Sequence, residues 1–119
     1  SDGIVAAIKT IEILERDRIL DVVAAKGRTF GAEVEKVVEE SGVPVNFTGA
    51  PWMPYITFKK DEAGLYKKLR TEYYTQLIRR NVFMQPYHHG YICYRHTDED
   101  LAYTVEAIRE SLAEVKKML

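Results

Sequence analysis

The sequence has 119 residues, of which 46% are hydrophobic and 29% are charged, and its formal net charge is -1 at pH 7. This length and apolar content suit one compact domain, residues 1–119, with a real hydrophobic core. The near-neutral charge gives no general attraction for nucleic acid or for an acidic membrane surface, so we expect neither as a partner. No apolar run reaches the roughly 18 residues of a membrane-spanning helix, and no signal peptide opens the chain.

Cysteine usage and the first residue set two further expectations. The single cysteine, Cys93, has no partner for an internal disulfide, which fits a reducing compartment, and we therefore expect a cytoplasmic protein. The chain starts at Ser1 rather than at a methionine, directly ahead of a strongly helical stretch. We expect it to be a fragment, a processed product or a trimmed form of a longer protein.

The first 42 residues predict two helices. Residues 3–17 carry one apolar face with spacings of three and four: Ile4, Ala7, Ile8, Ile11 and Leu14. Asp17 is the expected cap of a second helix over residues 18–40, whose stripe is Leu20, Val23, Gly27, Phe30, Val34, Val37 and Val38. Gly42 is expected to end that helix in a left-handed conformation.

Two extended segments and a third helix are predicted next. Residues 43–49 and 52–60 have strand character, and Pro54 makes the second strand either an edge there or one that begins after it. The connecting turn at residues 48–51 contains a glycine and a proline, as expected of a loop. Asp61 is expected to begin the third helix, which ends near Asn81 and carries Leu65, Leu69, Tyr73 and Leu77.

The remaining chain predicts two short strands and a last helix. The strands are expected at residues 82–85 and 90–96, and Thr97 with Asp100 matches an N-terminal capping box. The last helix has the most regular stripe: Leu101, Val105, Ile108, Leu112, Val115 and Leu119. This order predicts an α+β fold, in which a small, mostly antiparallel sheet carries helices packed on one face, with long first and last helices. The first helix has no nearby strand, so we expect it to pack outward on an absent or partner domain.

The stretch "QPYHHGYICYRH" holds the three histidines and the cysteine. In a strand of about 3.3 Å per residue, His89 and Cys93 lie about 13 Å apart, which is too far for two ligands of one metal with bonds of about 2.0–2.3 Å. We expect no metal site, an inert thiol buried in the core at Cys93, and a structural role for His96. His88 and His89 precede Gly90 in a turn, where they are either solvated or available for binding.

Aromatic residues are numerous in the second half of the chain. Basic residues are not concentrated beside them, so a nucleic-acid stacking platform is not indicated. The lysine pair Lys67-Lys68 fits a solvated surface. We expect most of the aromatic set to lie in the core or on the sheet face, namely Tyr55, Phe58, Tyr66, Tyr73, Tyr74, Tyr91 and Tyr94.

Four segments in this order resemble the C-terminal small domain of class III aminotransferases of fold type I, which use pyridoxal phosphate. They are "VAAIKTIEILERD", "KGRTFGAEVEKVVEESGVPVNFTGAPWMPYITF", "LIRRNVFMQPYHHGYICYRHTDEDL" and the final helix. The likeness is to the glutamate-1-semialdehyde aminomutase branch in particular, with "HTDEDL" and its spacing from Pro86 the most specific part. It covers essentially the whole chain.

The resemblance implies a domain that closes over pyridoxal phosphate held by a large domain absent from this sequence. It implies no catalytic, cofactor-binding or metal-binding residue here, and a substrate-facing loop formed by Tyr87, His88 and His89. The parent would be a transaminase or aminomutase, expected as a homodimer, that moves an amino group between an amine or amino acid and an oxo compound. The isolated segment would be inactive and would bind no cofactor.

A different class of protein is also compatible with the sequence. The chain could be a stand-alone, non-catalytic interaction module that uses the apolar face of its first helix. A missing domain and a missing partner leave the same exposed surface.

Overall fold

A computed structural model describes residues 1–50 and 52–119, and within them the chain forms four helices and two strands. Their bounds are α1 (Asp2–Arg16), α2 (Ile19–Ser41), β1 (Val45–Thr48), β2 (Tyr55–Phe58), α3 (Leu65–Arg79) and α4 (Asp98–Lys116). The two strands pair antiparallel, α2 packs against β1 and α3 against β2, which confirms the predicted α+β fold. None of the helices in the described residues is long and apolar enough to cross a membrane.

The core lies where α4 packs against both α2 and α3. As predicted, the stripe of α4 is buried at Val105, Ile108, Leu112 and Val115, whereas Leu119 beyond the helix is exposed. Facing side chains from the other elements complete the core, among them Phe30, Val34, Val37, Ile56, Phe58, Leu69, Tyr73 and Leu77.

The start of α4 is fixed by the predicted capping box. The Thr97 hydroxyl accepts a hydrogen bond from the Asp100 backbone N–H at 3.0 Å, and the Asp100 carboxylate accepts one from the Thr97 N–H at 2.9 Å. Two backbone donors that a helix leaves unsatisfied are thereby paired. Because the Asp100 carboxylate accepts the hydrogen bond from the Thr97 N–H, the pKa of Asp100 is lowered from its usual value.

The helix α1 is amphipathic, as predicted, but none of its residues is buried. It contacts α2 and no other element of the described chain. Large apolar side chains on it are exposed: Ile4, Val5, Ile8 and Ile11. The expected outward-facing apolar surface is therefore present.

The junction of α1 and α2 differs from the prediction. Asp17 does not cap α2; it follows the end of α1, where its carboxylate pairs with Arg16 at 2.9 Å. The pKa of Asp17 is lowered by that hydrogen bond. Arg18 instead precedes α2, with a left-handed φ of 51° and no side-chain cap. The expectation for the other end of α2 is confirmed, since Gly42 has a φ of 68°.

Gly31 inside α2 permits close packing against a side chain of the hairpin. Gly31 is buried, and a Cβ built on it would lie 3.7 Å from the Phe47 ring of β1. The predicted stripe is buried from Phe30 to Val37, while Leu20 at the start of α2 is exposed.

The hairpin is in register from Val45 opposite Phe58 to Thr48 opposite Tyr55. Its second strand begins directly after Pro54, which is one of the two outcomes expected from that proline. The predicted turn at residues 48–51 includes Pro51, which lies outside the described residues.

The third helix begins four residues later than predicted. Asp61 lies before it, and its carboxylate accepts hydrogen bonds from the N–H groups of Leu65 at 3.0 Å and Tyr66 at 2.8 Å. These bonds lower the pKa of Asp61. Asp61 therefore pairs two N–H groups at the start of α3 although it lies before the helix. The N-cap residue is Gly64, which has a left-handed φ of 75°.

The predicted strands at residues 82–85 and 90–96 are wrong. Gly90 and Ile92 do donate their N–H groups to the carbonyls of Pro54 and Trp52, at 2.9 Å each. An antiparallel bridge would also need an N–H from residue 54 to the Gly90 carbonyl, and proline has none. The Val82 N–H is likewise directed back into α3, to the Leu77 carbonyl. We name residues 82–96 the docked segment, because it lies along the hairpin without joining the sheet.

Candidate functional site

The turn predicted to face a substrate lies in the middle of the docked segment. Tyr87, His88 and His89 are all exposed. The His88 N–H points to the Gln85 carbonyl at 3.5 Å, and the Gly90 bond to the hairpin holds the other end of the turn. These three side chains therefore lie on the surface. Their role in substrate binding stays a prediction.

His89 is positioned by the hairpin. Its ring meets Tyr55 edge to face, with 4.8 Å between ring centroids and 79° between planes. On its other side lies Gly49, which has a φ of 101°. A Cβ on Gly49 would lie 3.4 Å from His89 Cδ2 and would collide with the Met53 carbonyl oxygen. The positive φ and the Met53 carbonyl oxygen therefore require glycine at this position, where the loop lies next to the histidine.

The base of the turn is attached to the same tyrosine. The Tyr55 hydroxyl donates to the Pro86 carbonyl at 3.2 Å. Beneath it, the pKa of Tyr74 is raised to about 12, chiefly by burial and also by the nearby Tyr55, while the Arg70 charge acts in the opposite direction. A narrow apolar pocket opens here, lined among others by Phe30, Phe47, Tyr55, Ile56, Tyr74, Met84 and His88.

Tyr87 points the other way, onto α3. The Arg70 guanidinium donates to the Tyr87 hydroxyl at 3.2 Å and lies 4.9 Å from the centroid of the Tyr87 ring. The same guanidinium lies 5.8 Å from the Tyr66 ring, and Lys67 Nζ lies 5.9 Å from that ring. We name Tyr66, Lys67, Arg70 and Tyr87 the cationic patch. No local sequence pattern predicts this patch, because Arg70 and Tyr87 are separated by most of α3 and a turn.

The last part of the docked segment has a structural role. The predicted burial of Cys93 is wrong, since Cys93 is exposed. No strand forms here that would direct its side chain towards the core. The Cys93 N–H donates to His96 Nδ1 at 3.1 Å, which agrees with the structural role expected for His96. Lys26 of α2 donates to the carbonyls of Tyr94 and His96 and so ties this part to the helix.

The aromatic prediction is confirmed in part. Phe58, Tyr73 and Tyr74 are buried. Tyr91 is 68% exposed, and Phe83 in the same segment is 79% exposed. Tyr94 also remains exposed. The docked segment therefore exposes aromatic rings, and these are separate from the apolar side chains that α1 exposes.

The described residues offer no built site for a metal or for a lysine-bound cofactor. No group of three or more His, Cys, Asp or Glu side chains in residues 1–50 and 52–119 could hold a metal ion. Within the same residues, every lysine is exposed except the partly buried Lys26. Lys26 is already bonded to two carbonyls, whereas a lysine that reacts with a carbonyl compound needs a desolvated or cationic setting that lowers its pKa.

Comparison with known proteins gives three matches of interest, although no family model matches the chain. It is 98% identical over all 119 residues to a 3-aminobutyryl-CoA aminotransferase from Cloacimonas acidaminovorans (strain Evry), and covers 29% of that protein. It matches a glutamate-1-semialdehyde 2,1-aminomutase from Nitratidesulfovibrio vulgaris at 26% identity, covering 88% of this chain and 27% of the aminomutase. The FumI protein of Sphingopyxis sp. MTA144, solved in its PLP internal aldimine form, superposes with a TM-score of 0.81 and 26% identity over 94% of this chain and 26% of its own.

These matches confirm the predicted resemblance to aminotransferases. The likeness to the aminomutase branch is distant, since its identity is far below that to the aminotransferase. The chain spans less than a third of the length of each of these proteins. The stand-alone interaction module finds no support among them.

Proposed function

We propose that this chain, a homologue of one part of the class III aminotransferases, is the small domain of an enzyme that transfers an amino group between an amine or amino acid and an oxo compound. The observation that carries the proposal is the 98% identity over all 119 residues to an aminotransferase. Because the chain covers 29% of that relative, the activity is proposed for the longer protein, and the isolated chain is expected to be inactive.

The name of the near-identical relative indicates the substrate class. We propose that the enzyme acts on 3-aminobutyryl-CoA, a β-amino acid carried as a coenzyme A thioester. The match to the aminomutase is only 26% identical, so it gives little support to that enzyme's substrate.

Pyridoxal phosphate is the proposed cofactor, and it supplies the electron sink that amino transfer requires. The described residues do not fit a site for it, because the lysines are exposed or occupied. The cofactor would be held by chain outside this sequence, in the large domain expected from the resemblance. This chain's part is to present the turn at Tyr87, His88 and His89 to the substrate, held in place by Tyr55 and by the close approach of Gly49.

The surface supports a covered position for this chain. A monomeric soluble protein seldom exposes contiguous apolar patches of large size. Here α1 exposes four large aliphatic side chains, and the docked segment exposes Phe83, Tyr87 and Tyr91. We propose that the remainder of the enzyme covers the α1 face. A homodimer and a cytoplasmic location remain proposals from the resemblance.

The proposed activity is tested on the full-length protein that contains this sequence. The purified protein, loaded with pyridoxal phosphate, is incubated with 3-aminobutyryl-CoA and a panel of oxo acids, and the aminated product is quantified. Turnover by the full-length protein, with none by residues 1–119 alone under the same conditions, is the expected result. If 3-aminobutyryl-CoA transferred its amino group to none of the oxo acids in the panel, the proposed substrate would be wrong.

The turn is tested by His88→Ala and His89→Ala in the full-length protein. We expect at least one of them to change KM for the amino substrate by about threefold or more, because the side chains face the substrate. The visible absorbance of bound cofactor should be retained. Cys93→Ala, an exposed position in the same segment, is the control. Unchanged kinetics in both histidine variants would assign the turn a structural role only.

A further inference from the structure

We propose that the cationic patch binds a phosphate group of an acyl-CoA substrate, and thereby selects coenzyme A thioesters over thioesters that lack the nucleotide. The inference rests on the proposed function for its substrate class. It adds a binding site on α3, outside the turn at residues 87–89, and gives Arg70 the central part in it.

Arg70 is held in a fixed position with donors to spare. Its guanidinium lies between two tyrosine rings, 4.9 Å from the Tyr87 centroid and 5.8 Å from the Tyr66 centroid. In the described part of the chain only one of its hydrogen bonds is formed, to the Tyr87 hydroxyl. A guanidinium has five N–H donors in a planar fork that matches phosphate oxygens, so most of this fork is available to a ligand.

The charge of the patch is not neutralised locally. Among residues 1–50 and 52–119, no ion pair involves Arg70 or Lys67. The carboxylate at the start of the helix, Asp61, is engaged by the N–H groups of Leu65 and Tyr66. By contrast, Arg80 at the end of the same helix is paired with Glu110 at 2.8 Å. Two cations three residues apart on one helix thus favour an anionic ligand.

The place of the patch beside the turn, and the exposed ring of Tyr87, favour the nucleotide end of a long substrate as its ligand. Tyr87 belongs both to the patch and to the turn proposed to face the substrate, so a ligand that passes the turn next meets Arg70. Its ring is 69% exposed and has a face on which a base can stack. A coenzyme A thioester places its phosphates and adenine far from its acyl group, whereas a free amino acid has no second anionic group to reach the patch.

The test compares two thioesters in the full-length holoenzyme. For Arg70→Gln we expect kcat/KM with 3-aminobutyryl-CoA to fall at least 10-fold, mainly through KM. With the matching pantetheine thioester, which has no phosphate, kcat/KM should stay within twofold. Arg79→Gln is the control, because Arg79 is exposed at the other end of the same helix, and it should behave as the wild type with both substrates.

Two milder variants keep the test usable if Arg70→Gln does not fold. Arg70→Lys keeps the charge but loses the planar fork, and Tyr87→Phe keeps the ring but loses the hydroxyl that orients the guanidinium. Arg70→Lys should lower kcat/KM for the coenzyme A thioester severalfold and leave that for the pantetheine thioester within twofold. Because Tyr87 also belongs to the turn that faces the substrate, Tyr87→Phe should lower kcat/KM for both thioesters, and by a clearly larger factor for the coenzyme A thioester. Raising the salt concentration should weaken the wild type's preference for coenzyme A and have little effect on Arg70→Gln.

The outcomes separate this inference from the proposed function. If the wild type turns over the coenzyme A thioester and Arg70→Gln does so equally well, the inference is overturned and the proposed function stands. Equal losses with both thioesters would also overturn it, by giving Arg70 a structural role. Free 3-aminobutyrate is assayed as a third substrate, and a loss confined to it would overturn the inference by showing that Arg70 recognises a carboxylate instead of a phosphate. No turnover of the coenzyme A thioester by the wild type would remove the proposed substrate, and this inference with it.

Discussion

The first and last helices carry similar apolar stripes, yet the structure uses them differently. The stripe of α4 is buried between α2 and α3 from Val105 to Val115, whereas α1 buries none of its residues. Spacing of apolar residues therefore predicts which face of a helix avoids water, but not what covers it. For α4 the cover lies in this chain. For α1 we propose that it lies in the rest of the enzyme.

The largest expected effect comes from placing a charge on the covered stripe. Val105→Asp should lower the free energy of unfolding of residues 1–119 by about 3–5 kcal/mol, because it buries a carboxylate without a partner. Urea denaturation of the variant measures the loss. An unchanged midpoint would show that α4 does not pack as described.

The matched control is Ile8→Asp in α1, because Ile8 is 53% exposed. In the isolated chain its effect should stay within about 0.5 kcal/mol, as for ordinary surface substitutions. In the full-length protein the same change should be clearly destabilising. Equal, small effects in both contexts would mean that nothing covers this face.

A smaller loss is expected at the hairpin loop. Gly49→Ala should destabilise the protein by about 2–3 kcal/mol, since φ is 101° there and a Cβ would meet the Met53 carbonyl oxygen. Gly3→Ala in α1 has nothing within 4 Å of the added Cβ and should be neutral or slightly stabilising. Thermal melting of both variants checks the pair, and equal melting midpoints would contradict the described loop.

The helix caps give the next comparison. Thr97→Ala removes the hydroxyl that accepts from Asp100 at 3.0 Å and should cost about 1 kcal/mol. Ser1→Ala removes the corresponding acceptor of α1, which binds the Ile4 N–H at 3.4 Å. Because α1 is not part of the core, that loss should scarcely change the unfolding midpoint. A larger effect from Ser1→Ala than from Thr97→Ala would reverse our ranking of the two helices.

The smallest effect expected is a pH dependence at the same cap. The folded pKa of Asp100 is lowered by the Thr97 N–H, so its ionised form stabilises the fold above the unfolded pKa of about 3.9. This contribution is lost as the pH falls through the folded pKa. Wild type and Asp100→Asn should therefore differ in stability at pH 6, and the difference should shrink towards pH 3. A gap that stays constant would mean that the charge plays no part.

The elements governed by local signals could be predicted from the sequence. The stripe of α4, the Thr97 and Asp100 box and the Gly42 end of α2 all follow from side chains within a few residues of one another. The two predicted strands that do not form depended on distant residues. Residues 90–96 lie beside Pro54, which lacks the N–H needed to complete a bridge, and the Val82 N–H at the start of residues 82–85 is bonded to the Leu77 carbonyl of α3.

The candidate site shows the same division. The turn at Tyr87, His88 and His89 was predicted from the flanking proline and glycine and from the family resemblance, and the structure places it on the surface. Exposure of Cys93 could not be predicted, since it follows from the missing strand. The contact between Arg70 and Tyr87 joins a helix to a turn, and no local pattern relates their positions.

Hydrogen exchange on α1 tests the central claim most directly, because that claim is that this chain works beneath the cover of a larger enzyme. Amide exchange of Asp2–Arg16 is measured in residues 1–119 alone and in the full-length protein under the same conditions. The account predicts rapid exchange in the isolated chain and strong protection in the full-length protein. Equally rapid exchange in both would contradict it.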